Sequence, residues 1–222
     1  FKFLSKCIDV PIAVGEDLAN EITNKLELKV KEIISAGVNQ DVFKPLRLNK
    51  KYDFIFVGSF INRKGLDLLL KAIEIIDDKK IRYCIVGSGE LEQDVINVQK
   101  NNTITLLKNQ SQKQLCELYN QSKYFALPSR NEPFGLVATE SMFCATPVIV
   151  SNVGGLKNQV NNNINGFIIP ELTSEAVAHT ILKAYNITDE GYNKMVDTAL
   201  ISNKEHSMQS IINKLLKIYK ND

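Results

Sequence analysis

The sequence predicts an α/β fold with a doubly wound parallel sheet. Three observations carry this: short apolar runs recur along the chain, stretches with helical spacing separate them, and glycine-containing loops follow several of the runs. Runs that are apolar throughout, rather than alternating, suit strands buried on both faces. Repeating strand, helix, strand in this way forces parallel pairing through right-handed crossovers.

In chain order, "DVPIAVGEDLANEITNKL" (9–26) reads as strand then helix, and "KEIISAGV" (31–38) as a short strand ending in a turn. "NQDVFKPLRLNKK" (39–51) has no clear period and contains Pro45, which marks a connection. The main strands follow: "YDFIFVG" (52–58), "IRYCIVG" (81–87), "TITLL" (103–107), "KYFALPS" (123–129), "TPVIVS" (146–151) and the shorter "GFIIP" (166–170). Between them lie "KGLDLLLKAIEII", "ELEQDVINVQK", "SQKQLCELYNQ" and "GLVATESMFCA", each with apolar residues at helical intervals. Residues 173–186 and 206–220 add two more helices. The expected organisation is a remnant of a preceding domain at 1–36, a linker at 37–50, a Rossmann-like domain at 51–205 and a C-terminal helix at 206–222.

Composition narrows the function. Of 222 residues, 44% are apolar and 23% charged, enough for a sizeable core. The net charge of +2 carries no basic stripe, which argues against a nucleic-acid partner. No apolar run approaches the ~18–20 residues that span a bilayer. The chain starts at Phe1, and its first residues lack the basic flank and cleavage site of a signal peptide, so a fragment or processed chain is expected. Cys7, Cys84, Cys116 and Cys144 fall on apolar segments without metal or redox spacing, as core residues of a cytoplasmic protein do. His179 and His206 lie on expected C-terminal helices with no second ligand at metal spacing, so they read as surface or packing residues.

In a parallel sheet the loops after the strands' carboxyl ends gather along one edge, where ligands of open α/β folds bind. Four such loops stand out: "GSFINRKG" (58–65), "GSGE" (87–90), "PSRNEPFG" (128–135) and "SNVGG" (151–155). Their glycines, among them Gly58, Gly87, Gly89 and Gly135, allow close backbone approach. The helix starts behind them offer N–H groups to an anion. With Arg63 and Lys64 beside that edge, a phosphorylated ligand is expected. A dinucleotide fits less well, because Glu92 occupies the third glycine position of "GSGELE".

Glu132 and Glu140 are eight residues apart. On one helix they would be rotated ~80° from each other, and Pro133 disfavours helix at Glu132. Glu132 is therefore placed in a loop at the ligand edge and Glu140 about a turn into the following helix. They suit two parts of one elongated ligand, a sugar ring and a ribose, since carboxylates accept hydrogen bonds from vicinal hydroxyls. A glycosidase pair, with carboxyls about 5–9.5 Å apart, is geometrically allowed but leaves Arg63 and Lys64 without a role.

These elements together resemble the C-terminal half of a GT-B retaining glycosyltransferase of glycosyltransferase family 4. The matching segments are "EPFGLVATE" (132–140), an E-x7-E element preceded by "PS", then "TPVIVSNVGG", "NGFIIP", "VGSFINRKGLDLLLKAI" and "IVGSGE", all in the family's order. The resemblance implies a domain that binds a nucleotide-diphosphate sugar and needs no metal or other cofactor. By position, Glu140 would hold the ribose and Glu132 the transferred sugar. Lys64 would contact the diphosphate, supported by the donor loop at Gly58, Ser59 and Arg63, by Gly87 and Gly89, and by the backbone N–H groups of Phe134, Gly135 and Leu136. The chemistry implied is transfer with retained anomeric configuration, Lys64 and the helix-start amides acting where charge develops on the leaving diphosphate. The implied partners are the nucleotide sugar and the enzyme's own N-terminal domain, which carries the acceptor site and any peripheral membrane contact and against which the C-terminal helix packs. This chain alone is expected to bind donor weakly and to be inactive. Three residues depart from the family's pattern: Ser59 where Arg is usual, Asn158 where Glu is usual, and Lys108 where Gly is usual. Ser59 and Asn158 support an alternative, a nucleotide- or glycan-binding module without turnover.

Overall fold

The computed structural model describes residues 10–220. Cys7 and the start of the 9–26 segment lie outside them. Two short parallel strands, β1 (Ile12–Ala13) and β2 (Glu32–Ile33), flank helix α1 (Glu16–Leu26). The six-stranded sheet follows, made of β3 (Tyr52–Val57), β4 (Tyr83–Val86), β5 (Ile104–Leu107), β6 (Ser122–Leu127), β7 (Val148–Ser151) and β8 (Gly166–Ile169). Its order is β5-β4-β3-β6-β7-β8 and every pairing is parallel. The doubly wound α/β reading therefore holds, and each of the six expected main strands appears with its bounds within two residues of those expected.

The crossover helices are α2 (Leu66–Ile76), α3 (Glu92–Gln99), α4 (Gln112–Asn120), α5 (Leu136–Phe143) and the single turn α6 (Leu156–Gln159). Helices α7 (Ser174–Tyr185), α8 (Asp189–Ser202) and α9 (Met208–Lys220) complete the described chain. Helix α2 packs on α3 and α7, whereas α4 packs on α5 and α5 on α8, so separate helical layers cover the two sheet faces. This explains why β3 and β4 are buried almost throughout and read as apolar runs. At the amino half of the sheet, Tyr83, Phe54 and Tyr124 are in register on three adjacent strands, and their rings stack at 5.7 and 5.8 Å. Each such pair contributes about 0.5–1.5 kcal/mol beyond area burial, stiffening the end of the sheet away from the ligand edge.

Two expectations change. Helix α8 is not evident in the sequence: only Met195 and Ala199 of its residues are buried, and Gly191 sits in its first turn. Thr188 caps it, accepting from Gly191 N at 3.2 Å, and it packs on α5. The helix expected from 206 starts at Met208 instead, and His206 belongs to a preceding 3-10 turn (Lys204–His206). Residues 39–51 are irregular, as expected, yet they are tied down along α4. Leu46 N donates to Asn120 Oδ1 at 2.6 Å, Asn120 Nδ2 donates to Lys44 O at 3.0 Å, and the buried Phe43 ring meets Tyr119.

Candidate functional site

The strand order reverses at β3. From β3 the chain works outward through β4 and β5, then returns to the other side of β3 as β6. The loops leaving β3 and β6 are the two that flank this switch point, where open α/β sheets form their crevice. They are the loops that carry Lys64 and Glu132.

Lys64 ends a 3-10 turn (Asn62–Lys64) that Gly65 closes, with φ +71° and its N–H bonded to Asn62 O at 3.0 Å. A Cβ at Gly65 would lie 1.8 Å from the Pro128 carbonyl oxygen, so only glycine lets the two loops touch. Across that contact Lys64 Nζ donates to Glu132 Oε2. The pair is largely desolvated, with side chains 15% and 10% exposed. A carboxylate this enclosed needs a charged partner, and Lys64 supplies it.

The same loops are braced by residues the sequence did not single out. Arg130 forms a two-pronged contact with Asp67 at the start of α2, at 2.7 Å on each prong, and also donates to Asn62 O. Burial would raise the Asp67 carboxyl's pKa, but the Arg130 bonds outweigh it and hold the group below its ordinary value. The Arg63 carbonyl accepts from Arg130 N at 2.8 Å and from Ser129 Oγ at 2.9 Å. The Arg63 side chain, by contrast, is exposed. On the other flank, Glu132 O accepts from Gly155 N at 3.0 Å, while Gly154, with φ +50°, lies against that same carbonyl. A charged pair with matched geometry at 63-residue spacing leaves no local sequence pattern, which is why Arg130 and Asp67 escaped notice.

Helix α5 begins at Gly135, itself left-handed at φ +92°. Among the described residues, the N–H groups of Phe134, Gly135 and Leu136 donate to no protein group. Helix starts with unpaired N–H groups are anion sites in waiting. Gly58 and Gly87 spend their N–H groups extending the sheet, on Val86 O and Leu107 O, both at 3.0 Å. Their contribution is space: they line a cleft of about 270 Å³ together with Ser59, Ser88, Asn109 and Gln110. The N–H groups of Ser59 and Gly89 are uncommitted among the described residues. Lys108, next in the chain to Asn109, pairs with Glu92 at 2.6 Å.

Glu140 sits in the second turn of α5, half-buried, and does not meet Lys64. Its Oε2 accepts from the Tyr119 hydroxyl at 3.3 Å. Burial pushes its pKa up to about 7, against the opposing pull of the Tyr119 hydrogen bond. The two glutamates therefore occupy different electrostatic settings, one paired with a cation and one with a phenol. Nearby, the Cys144 thiol donates to Cys116 Sγ at 3.7 Å, and both thiols are buried.

The amino-terminal piece docks beside this edge. Asn158 Nδ2 donates to Glu16 Oε2 and Lys157 Nζ to Asp17 Oδ1, each at 3.4 Å, joining α6 to the start of α1. His206 is a packing residue: its ring stands edge-on to Phe134 at 5.1 Å and its Nδ1 lies 3.0 Å from Ser35 Oγ. Burial lowers its pKa.

A parallel α/β sheet with helices on both faces defines the Rossmann-like class of fold, and it matches solved GT-B glycosyltransferase structures. Residues 38–200 match the family described as glycosyl transferases group 1, and the chain belongs to that family. It is 30% identical to an uncharacterized glycosyltransferase of Methanocaldococcus jannaschii over 99% of this chain and 61% of that protein. The chain thus spans about three fifths of the length of the first curated relatives it matches. Its fold is similar to that of a glycosyltransferase from Rickettsia africae, with TM-score 0.85, 23% identity, all of this chain and 66% of the other. It is also similar to Anabaena HepE, solved with UDP and glucose, with TM-score 0.82, 18% identity, 95% of this chain and 62% of that one.

Proposed function

We propose that this chain is the donor-binding half of a retaining, family 4-type glycosyltransferase that takes a nucleotide-diphosphate sugar. One observation carries the reading: Lys64 and Glu132, supplied by the two switch-point loops, meet in a desolvated pair beside the three free N–H groups at 134–136. A diphosphate fits a lysine backed by helix-start amides, and a sugar ring offers the hydroxyls that a loop carboxylate accepts. In this reading Glu140 receives the ribose hydroxyls and the cleft around Asn109 and Gln110 takes the base. As the glycosidic bond breaks, negative charge grows on the diphosphate. Lys64 and the amides are preorganised there and stabilise the transition state more than the ground state. Transfer with retention, the acceptor site and any membrane contact belong to the whole enzyme with its N-terminal domain, acting in the cytoplasm.

A uridine donor is the first to test, given the UDP complex of HepE. Calorimetric titration with UDP, GDP and their sugar conjugates should give saturable binding of one base series, and Glu140→Ala should abolish it. Equal binding of wild type and Glu140→Ala would remove Glu140 from the ribose. A second reading, a binding module without turnover, draws on the exposed Ser59, which places no charge after Gly58. Activity of the full-length enzyme separates the two.

A further inference from the structure

The reading above leaves unexplained how Glu140, a carboxyl on a helix flank with no cation bonded to it, is kept at the ligand edge. Helices α4 and α5 each start at the carboxyl edge of the sheet and run back from it. Helical side chains slant toward their own N-terminus, so Tyr119 and Glu140 both lean toward that edge. The Tyr119 ring is wholly buried. It is held between the Phe43 ring at 6.2 Å and the Phe125 ring, edge-on, at 5.9 Å. Its hydroxyl finds one protein partner among the described residues, Glu140 Oε2 at 3.3 Å. Glu140 Oε1 has no protein hydrogen bond among the described residues.

We propose that Tyr119 is a positioning residue for donor binding: its clamped hydroxyl fixes the rotamer of Glu140 and satisfies one oxygen, so that the other meets the ribose. This rests on the donor-binding reading and goes beyond it, since Tyr119 acts through Glu140. The contact has a second effect. A hydrogen bond from a phenol favours the ionised carboxyl, the form that accepts from two vicinal hydroxyls, and so opposes the burial that favours the neutral form. The titratable groups facing Glu140 are Tyr119 from α4 and Cys144 at the end of its own helix. Cys144 in turn faces Cys116, and Lys50 lies near it.

The test is Tyr119→Phe, which keeps the ring and deletes the hydroxyl. UDP affinity is measured by calorimetry across pH 6 to 9, beside wild type and Glu140→Ala. Tyr119→Phe should bind about tenfold more weakly near pH 7 and recover as pH rises, because its Glu140 titrates at higher pH than in wild type. An equal loss at every pH would mark a merely structural role and overturn the proposal, as would unchanged affinity. Loss in Glu140→Ala with none in Tyr119→Phe overturns the positioning role alone. Wild-type affinity in Glu140→Ala overturns the ribose reading and the proposal with it. Carboxyl-carbon NMR of Glu140 in ligand-free wild type and Tyr119→Phe gives an independent readout. A midpoint above the ordinary carboxylate range supports the enclosed carboxyl and a further rise in Tyr119→Phe supports the phenol's bond, whereas the same midpoint in both proteins overturns the proposal.

Discussion

Lys64 and Glu132 stand 68 residues apart in the chain and meet side chain to side chain across the switch point of the sheet. Neither loop alone makes the pair. Each loop brings one charge, and the glycine contact between Gly65 and Pro128 sets how closely the charges approach. A diphosphate arriving there would find its cation already oriented by a carboxylate, with little side-chain entropy left to lose.

Lys64→Met keeps the length of the aliphatic stem and removes the charge. UDP affinity should fall about 10- to 100-fold, the range for a lost charged hydrogen bond. Stability should fall as well, because Glu132 is left enclosed without a partner. Adding Glu132→Gln should restore the melting temperature of Lys64→Met while leaving affinity low. Calorimetry and thermal unfolding of the two single variants and the double variant check both halves of this expectation.

Gly154→Ala tests the bracing of the second loop. A Cβ there would lie 2.0 Å from Glu132 O, and the backbone is left-handed at φ +50°. The cost in unfolding free energy should be about 1–3 kcal/mol, read by urea denaturation. Because the displaced carbonyl is that of Glu132 itself, UDP affinity should fall with it. A destabilised protein with wild-type affinity would show that the loop's position is set elsewhere.

Glu140 makes stability depend on pH. Its folded pKa, about 7, lies above the ordinary 4.5, so the unfolded chain releases this proton first. The group's contribution to stability is fully present below about pH 4.5 and is lost as pH rises through about 7. Glu140→Gln cannot ionise. Between those pH values its stability should decline less than wild type's, and at higher pH it should exceed wild type by on the order of 2–3 kcal/mol. Urea midpoints measured at pH 4.5, 6 and 8 decide this; parallel curves for the two proteins would show that Glu140 is not shielded in the fold.

Much of this architecture is legible in the sequence because burial on both faces leaves continuous apolar strands such as "FIFV" of β3 and "VIV" of β7, and both appear where expected. Helix α8 is not legible, since a sparse apolar stripe and an early glycine hide it and its packing on α5 decides the matter. Within the candidate site, Glu132, Lys64 and the Gly135 helix start stand out because special residues cluster locally in a motif. Arg130, Asp67, Gly154 and Tyr119 act through partners between 21 and 68 residues away in the chain. Nothing in the one-dimensional pattern couples them. Only the parallel sheet, by bringing its loops to one edge, does so.

The bracing between the loops after β3 and β6 also bears on how such a domain can be altered. Arg130 grips Asp67 and Asn62 while Ser129 and Arg130 hold the Arg63 carbonyl, so either loop is a template for the other. Grafting one loop from a relative would bring in half of a lock without its key. The two segments, 58–67 and 128–135, are a single unit of exchange. Recombination that separates them should yield misshapen sites, whereas a paired graft carries its own geometry into a new host.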